Sequence, residues 1–334
     1  MAVIPIALTF DNNYAPQAGV FIQSLIDTKK PETNYVIHAF GDAVEAYERR
    51  QLFSIAKDVA GVELYYHAID VGRYADSVDK DRHMTASTFF RLHLASILPQ
   101  YDKCLYLDVD MICCEDLSDL FATDMDGYVF AAAPELNHML GVVRGGWQRS
   151  YYIDQHGWPE EKFLNYRQAG VLVLNLDMIR RLNLEARFEE AAAKKYKLMD
   201  QDIINITVPS EQIRRLHMRW NFVSAYGRIM SNRDRFDEAF MAEFIEAFES
   251  PAIIHWAGSA KPWNSVQRGY DLHDRFWSVA IKTPWYSKLM LQCAAKIAEK
   301  ELTGRLERLK APVAVPSKQA ARKGILSQLH SFLF

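Results

Sequence analysis

Cysteine is scarce in this sequence: Cys104, Cys113, Cys114 and Cys293 are the four in 334 residues. Their spacing forms neither a disulfide framework nor the paired pattern of a zinc site, so reduced thiols in a cytoplasmic compartment are expected. No apolar run approaches the length of a transmembrane helix. Val3–Phe10 is short, lacks a basic flank and meets Asp11-Asn12-Asn13, which does not read as a secretion signal. The common phosphate-binding patterns are missing as well. There is no Gly-x-Gly-x-x-Gly behind a strand and no loop ending in Gly-Lys-Ser/Thr, which disfavours dinucleotide and P-loop enzymes. No Gly-x-Ser-x-Gly elbow is present, and no internal repeat or low-complexity tract is found.

What is there is an ordinary globular composition, 49% hydrophobic and 24% charged, long enough for one large α/β domain or two smaller ones. The net charge of −3 is unevenly placed. From Arg308 onward come Arg308, Lys310, Lys318, Arg322 and Lys323 with no acid, and the rest carries 34 basic against 42 acidic residues. A basic tail on an acidic body points to an anionic partner for the tail alone.

The stretch Cys104–Cys114, CLYLDVDMICC, stands out. Its apolar run reads as a buried parallel strand, with Asp108 and Asp110 at the carboxyl end, where open α/β sheets bind ligands. Two carboxylates there are costly to leave unpaired, and a divalent cation (Mg, Ca or Mn) is the simplest partner. Asp-x-Asp also occurs at Asp79/Asp81, Asp124/Asp126 and Asp200/Asp202, so the strand context carries the signal. Two nearby aspartates at a strand end also mark aspartyl-phosphate phosphatases, but these usually want a threonine where Ile112 stands.

Along the chain, Val3–Phe10, Tyr35–Phe40, Val62–His67, Tyr128–Ala133 and Gly170–Leu176 read as strands. Ala15–Thr28, Ala43–Val59, Ser87–Leu98, Asp177–Ala193, Asp237–Phe248, Asp271–Ile281 and Pro284–Leu309 read as helices, and Asp116–Thr123 and Asp200–Val208 as short ones. Arg214–Trp220 and Ala252–Trp256 look extended. This alternation predicts a mostly parallel sheet with helices on both faces. Asp70–Thr85 reads as a loop. Gly141–Pro159, rich in Gly, Trp and Tyr and aperiodic, reads as a functional loop, with Gly141–Trp158 as a lid.

Three further stretches bear on chemistry. Thr9–Tyr14 ends a strand with polar edge-readers and one aromatic ring that can stack on a base, although a plain turn explains it as well. His255 to Trp263 offers a histidine at a strand end, a glycine permitting close backbone approach and Lys261, which suit a metal and a diphosphate. Asp200-Gln201-Asp202 reads as a helix start, with Asp200 as cap and acids favoured by the dipole.

Taken in order, these motifs resemble the retaining glycosyltransferases of family 8, closest to the bacterial galactosyl- and glucosyltransferases of lipooligosaccharide and lipopolysaccharide cores. The resemblance runs from Val3 to about Trp263. It rests on Asp11-Asn12-Asn13-Tyr14, Phe90-Arg91-Leu92, Leu105 to Asp110, Ala169-Gly170-Val171 through Asn175, Asp200-Gln201-Asp202, and His255 with Gly258 and Lys261-Pro262-Trp263. It implies a GT-A-type α/β fold with a Rossmann-like sheet over residues 1–265, a helical extension over 266–310, a linker at 311–316 and a tail at 317–334.

The implied roles follow residue by residue. Asp108, Asp110 and His255 would ligate Mn²⁺, with Mg²⁺ the alternative. Thr9, Asp11, Asn13 and Tyr14 would hold the nucleoside of a UDP-hexose, and Gly258 and Lys261 its phosphates. Arg91, Val109, Glu135, Gln168, Ala169 and Asp200 would line the rest of the donor site, and Gln201 would face the anomeric carbon with Asp200 beside it. Two positions depart from the family. Gln168 stands where Asn is usual and Glu135 where Asp is frequent, and both bear on the donor sugar.

Galactose is the first expectation for the donor sugar and glucose the second; the acceptor would be a lipid-linked oligosaccharide. Gln201 is a poor nucleophile, so same-face substitution is preferred over double displacement, for which Asp200 and Asp202 would be the carboxylates. Ser317–Phe334, with Ile325, Leu326, Leu329, Phe332 and Leu333 on one side behind basic residues, would rest on the anionic inner face of the cytoplasmic membrane. No nucleic-acid partner is expected. The alternatives are a metal-dependent nucleotidyltransferase and a membrane-tethered sugar-nucleotide or saccharide binder without turnover.

Overall fold

The computed structural model describes residues 3–70, 72, 86–265 and 272–310. Asp79/Asp81, most of the loop expected over Asp70–Thr85, the 311–316 linker and the 317–334 tail lie outside the described residues. The strands among them are β1 (Val3–Asp11), β2 (Asn34–Asp42), β3 (Val62–Ile69), β4 (Lys103–Leu107), β5 (Met111–Cys113), β6 (Phe130–Ala132), β7 (Val171–Asn175), β8 (Ile213–Arg215), β9 (Phe222–Val223) and β10 (Ile253–His255).

β1 is buried from Ile4 to Phe10, as a central strand covered on both faces must be. Its even-numbered residues Ile4, Ile6, Leu8 and Phe10 pack with Val20 and Phe21 of helix α1 (Ala15–Thr28) and with Trp256, Phe276 and Trp285. Ala7 faces the other core, with Tyr106, Leu172, Leu174 and Ile203. Each large apolar side chain so buried contributes about 1.5–3 kcal/mol.

The main sheet has the order β3-β2-β1-β4-β7-β6-β8. β1 pairs in parallel with β2 and β4, β2 with β3, and β6 with β8. The mostly parallel α/β sheet is therefore present, with one exception: β7 runs antiparallel to both β4 and β6. The chain leaves β6 at the carboxyl edge, builds a helical insertion there and returns down β7. That insertion overhangs the edge where β1 and β4 end side by side, with their connections leading to opposite sides. This is the switch point at which such sheets bind ligands.

The Cys104–Cys114 stretch holds the expected strand, with Asp108 and Asp110 at its carboxyl end, and a second short strand after them. β4 stops at Leu107, Asp108–Asp110 turns, and β5 joins a second, three-stranded sheet of order β5-β10-β9. There β10 pairs antiparallel with β5, opposing His255 to Met111. A backbone hydrogen bond from Trp256 N to Asp110 O (3.0 Å) closes the register.

Other expectations are corrected in detail. Gly141–Pro159 is helical rather than a loop: Leu136–Arg144, Trp147–Arg149, a π-turn at Ser150–Gln155 and Glu160–Leu164. Tyr152, Trp158, Phe163 and Tyr166 give it a small core of its own. Ser87–Leu98 is a 3-10 turn followed by one α-turn, and Asp177–Ala193 breaks at Asn183, which sits at φ 49°. The strand expected over Arg214–Trp220 ends at Arg215. The carboxyl-terminal helices His273–Ala280 and Tyr286–Lys310 return to the body. There Trp285 lies so close to Gly19 that an added Cβ would sit 1.9 Å from its ring, and Lys288 Nζ meets Glu48 Oε1 at 2.6 Å.

Candidate functional site

Asp108 and Asp110 leave β4 where β1 ends, and the second sheet delivers His255 beside them. His255 Nε2 lies 3.0 Å from Asp110 Oδ1 and 3.9 Å from Asp108 Oδ2. All three ligand atoms fall within 4.8 Å of one another. His255 Nδ1 is 2.9 Å from Asn221 Oδ1. The Asn221 amide nitrogen in turn donates to Gln168 Oε1, which also accepts from Gly170 N. This chain assigns the Nδ1 proton to Asn221 and turns Nε2 towards two carboxylates, an arrangement that calls for a shared cation. The donor set, two hard oxygens and one imidazole, fits a divalent cation.

Cationic side chains hold the carboxylates from behind. Lys261 Nζ contacts Asp110 and the Trp256 carbonyl. Burial would raise Asp110, but Lys261 and His255 outweigh it and hold it well below the usual carboxylate range. Arg91 is 8% exposed and bonds through all three guanidinium nitrogens. Nη2 meets Asp108 Oδ1 at 2.9 Å, Nε meets Asp200 Oδ2 at 2.9 Å, and Nη1 donates to Ala169 O at 2.5 Å. Burial pulls Arg91 down, yet Asp108 and Asp200 carry it above its ordinary value. Tyr106 donates to Asp108 Oδ1 (2.9 Å), shares a hydrogen bond with Thr9 (2.7 Å), and lies under the Arg91 guanidinium at 4.2 Å.

The helix Met199–Thr207 presents Asp200 and Gln201. Asp200 is not the cap. It is 2% exposed, takes the Thr88 hydroxyl and Arg91, and is raised by burial against the pull of Arg91. The backbone N–H of Leu198, the N-cap residue, donates instead to Asp202 Oδ2 at 2.7 Å. Gln201 has a fixed amide: Oε1 accepts from Ala169 N at 2.9 Å, and Nε2 donates to Tyr166 OH at 3.3 Å.

Behind Gln201, Tyr166 and Tyr152 both donate to Asp202 Oδ1, at 2.5 and 2.8 Å. Asp202 is fully buried and does not line the cavity. That removes it as a carboxylate for double displacement and gives it a positioning place behind Gln201. Burial raises Asp202 from 3.8 to about 6. Between those values the folded state keeps a proton that the unfolded chain releases, so this contribution is full below 3.8 and lost as pH rises through 6. Wild-type stability relative to Asp202→Asn is therefore expected to fall by up to about 3 kcal/mol from pH 4 to 7, measured by urea unfolding of both proteins.

These groups share a cavity of about 520 Å³. Of the residues singled out from the sequence, Thr9, Asp11, Tyr14, Arg91, Asp108, Val109, Asp110, Glu135, Gln168, Ala169, Asp200, Gln201, His255, Gly258 and Lys261 line it. Asn13 does not: it is exposed, and its backbone N–H, with that of Tyr14, donates to Asp11 Oδ1. Gly258 faces open space, an added Cβ meeting nothing within 4 Å. Gln168, the departure from Asn, aims its oxygen at Asn221 and Gly170. Glu135 is buried, caps the helix Leu136–Arg144 through His138 N, and is raised by burial. Asp124, of another Asp-x-Asp, turns its own loop by accepting from Asp126 N and pairs with Arg214 at 3.4 Å, away from the cavity.

Trp147 and Gln148, inside the stretch expected as a lid, line the cavity; the residues not foreseen are Thr88, Tyr106, Tyr166, Asn221, and Asn137 and His138 of the insertion. Alternation along β4 could have found Tyr106, two residues before Asp108 on the same face. Asn221 carries no local signal, since only the β9–β10 register sets it beside His255.

Such a site at a sheet switch point suits a divalent cation and a ligand beside it. The sequence model of glycosyl transferase family 8 matches residues 5–267, and the chain belongs to that family. General stress protein A of Bacillus subtilis is 23% identical over 82% of this chain and 92% of its own length. Lipopolysaccharide 1,2-glucosyltransferase of Escherichia coli is 24% identical over 82% of this chain and 77% of its own. The galactosyltransferase LgtC, solved with donor and acceptor sugar analogues, shares the fold at TM-score 0.68 and 24% identity, over 85% of this chain and all of that one. Among the described residues no helix is long and apolar enough to cross a membrane.

Proposed function

We propose that this glycosyltransferase is a hexosyltransferase. It moves galactose, or next glucose, from a UDP-sugar to a saccharide acceptor of a lipopolysaccharide or lipooligosaccharide core, with retention at the anomeric carbon. The observation that carries the reading is the convergence of Asp108, Asp110 and His255 with Lys261 on one side and Asp200 and Gln201 on the other, in one cavity at the β1/β4 switch point.

Asp108, Asp110 and His255 would hold Mn²⁺, or Mg²⁺, which when bound supplies positive charge to the diphosphate leaving group. Lys261 adds a fixed cation at the same end, and Gly258 leaves room for phosphate oxygens. Tyr14, edge-on to Trp263 at 6.2 Å, and Asp11 offer the nucleoside an aromatic face and a carboxylate. Arg91 fixes Asp108 and Asp200 at once, so the donor end and the sugar end keep one geometry. Gln201 is neutral and held on both sides by hydrogen bonds. That suits steadying an oxocarbenium-like sugar during same-face substitution better than attacking it.

The reading includes division into a catalytic unit to about 265, a helical extension to about 310, and a tail that rests on the anionic inner face of the cytoplasmic membrane. Truncation before Ser317 would then abolish vesicle flotation. The function itself is tested with a panel of UDP-sugars and Mn²⁺, scored by UDP release with and without lipooligosaccharide core. Turnover should be highest with UDP-galactose or UDP-glucose and should need the acceptor. Tight binding without turnover would favour a binder, and release of pyrophosphate from a nucleoside triphosphate would favour nucleotidyl transfer.

A further inference from the structure

His255 is aimed at the aspartates by a relay that begins at a backbone group. The Gly170 N–H donates to Gln168 Oε1. A backbone N–H can only donate, so this contact fixes which end of the Gln168 amide is the oxygen. The Asn221 atom that meets the same oxygen must then be Nδ2, which turns Asn221 Oδ1 to His255 Nδ1 at 2.9 Å. The hydrogen of a neutral ring is thereby held on Nδ1, and Nε2 keeps its lone pair for a metal. Gln168, Asn221 and His255 are all buried, so little water can take a place in the relay. The same glycine serves another ligand residue, its carbonyl accepting from Asp108 N at 2.8 Å. One residue just before β7 thus ties Asp108 through its C=O and His255 through its N–H.

The length of Gln168 decides what it can do here. A carbonyl oxygen has two lone pairs, and Gly170 N and Asn221 Nδ2 engage both, which leaves none for a sugar hydroxyl. The backbone at 168 is held by its own N–H to Ala133 O at 3.0 Å. An asparagine there is shorter by one C–C bond, about 1.5 Å, and would fall short of Asn221. The departure from Asn therefore bears on the metal side of the site rather than on the donor sugar.

We infer that Gln168 is a positioning residue for His255, acting through Asn221 to fix which ring nitrogen is free, and that its oxygen does not read the donor sugar. The consequence for Mn²⁺ rests on the functional reading above; the ring form does not. Full-length protein labelled with ¹⁵N at its histidine rings is measured in EDTA by long-range ¹H–¹⁵N NMR, the His255 signal being the one lost in His255→Asn. Wild type should show the Nδ1–H form alone. Gln168→Met, of similar length and without an acceptor, should show both forms, and its Mn²⁺ affinity, followed by EPR, should fall about tenfold or more. Gln168→Glu keeps an oxygen at the same reach, and should keep the Nδ1–H form and bind Mn²⁺ no more weakly than wild type. The ratio of kcat/KM for UDP-galactose to that for UDP-glucose should stay within about twofold in both variants.

An Nε2–H ring in wild type overturns the inference before any Gln168 variant is made. So does an unchanged ring form in Gln168→Met, or its loss in Gln168→Glu. A shifted galactose-to-glucose ratio with the ring form intact would return Gln168 to the donor sugar. Should wild type bind no Mn²⁺, the metal reading fails separately, and the ring form still decides the relay.

Discussion

Asp110→Asn is expected to lower UDP-hexose turnover by about 10³-fold or more while the protein remains folded. The substitution keeps the shape of the side chain and removes its charge. Asp110 Oδ1 faces His255 Nε2 at 3.0 Å, and its other oxygen meets Lys261, so one carboxylate joins the proposed metal position to the cation proposed for the phosphates. An amide offers a far weaker oxygen ligand and no charge to Lys261. Two supports of the leaving group weaken together, and removing one preorganised group of this kind already costs on the order of 10²–10³ in rate. Lys261, 5% exposed, also loses its counter-charge, so the melting temperature should fall. Steady-state UDP release at saturating Mn²⁺, with thermal unfolding of the same preparation, checks both parts. Turnover within threefold of wild type would remove Asp110 from the site.

Gly170→Ala is expected to lower kcat/KM by about 10²-fold with only a small loss of stability. An added Cβ would lie 2.5 Å from His255 Cε1, 2.7 Å from Asp108 Oδ2 and 2.9 Å from Gln168 Oε1. Real Cβ atoms do not approach that closely, so two ligand-bearing side chains and the amide that orients Asn221 must shift. The Asp108 N to Gly170 O hydrogen bond (2.8 Å) involves main-chain atoms only and is kept in the variant. A displacement of several tenths of an ångström to one ångström at a positioned group is enough for a loss of this size. Kinetics and a Mn²⁺ titration measure it, and wild-type values for both would mean that the ligands tolerate displacement.

The parts of the molecule legible in the sequence are those written in long or chemically unusual runs. β1 is an unbroken apolar stretch, and Asp108-Val109-Asp110 follows apolar residues without a break. His255 could be joined to them only through the resemblance, because its approach depends on a sheet whose strands have three, two and three residues. Strands that short show no period. The same brevity hid Asn221. The insertion reads as a loop in the sequence because Gly141, Gly145, Gly146 and Gly157 and its many aromatics obscure the helical period. Its stability comes from aromatic packing around Tyr152 and Tyr166 rather than from an amphipathic stripe. Asp200 and Asp202 could have been told apart, since residues two apart on a helix point to different sides. One therefore faces the cavity and the other the Tyr152–Tyr166 pair.

The central claim is that the cavity at the β1/β4 switch point binds a uridine diphosphate through a metal held by Asp108, Asp110 and His255. Calorimetric titration of UDP into the full-length protein, in Mn²⁺ and again in EDTA, tests it most directly. The account predicts binding at least about tenfold tighter with Mn²⁺, with that gain lost in Asp110→Asn. Equal UDP affinity in Mn²⁺ and EDTA, or a full metal-dependent gain in Asp110→Asn, would contradict it.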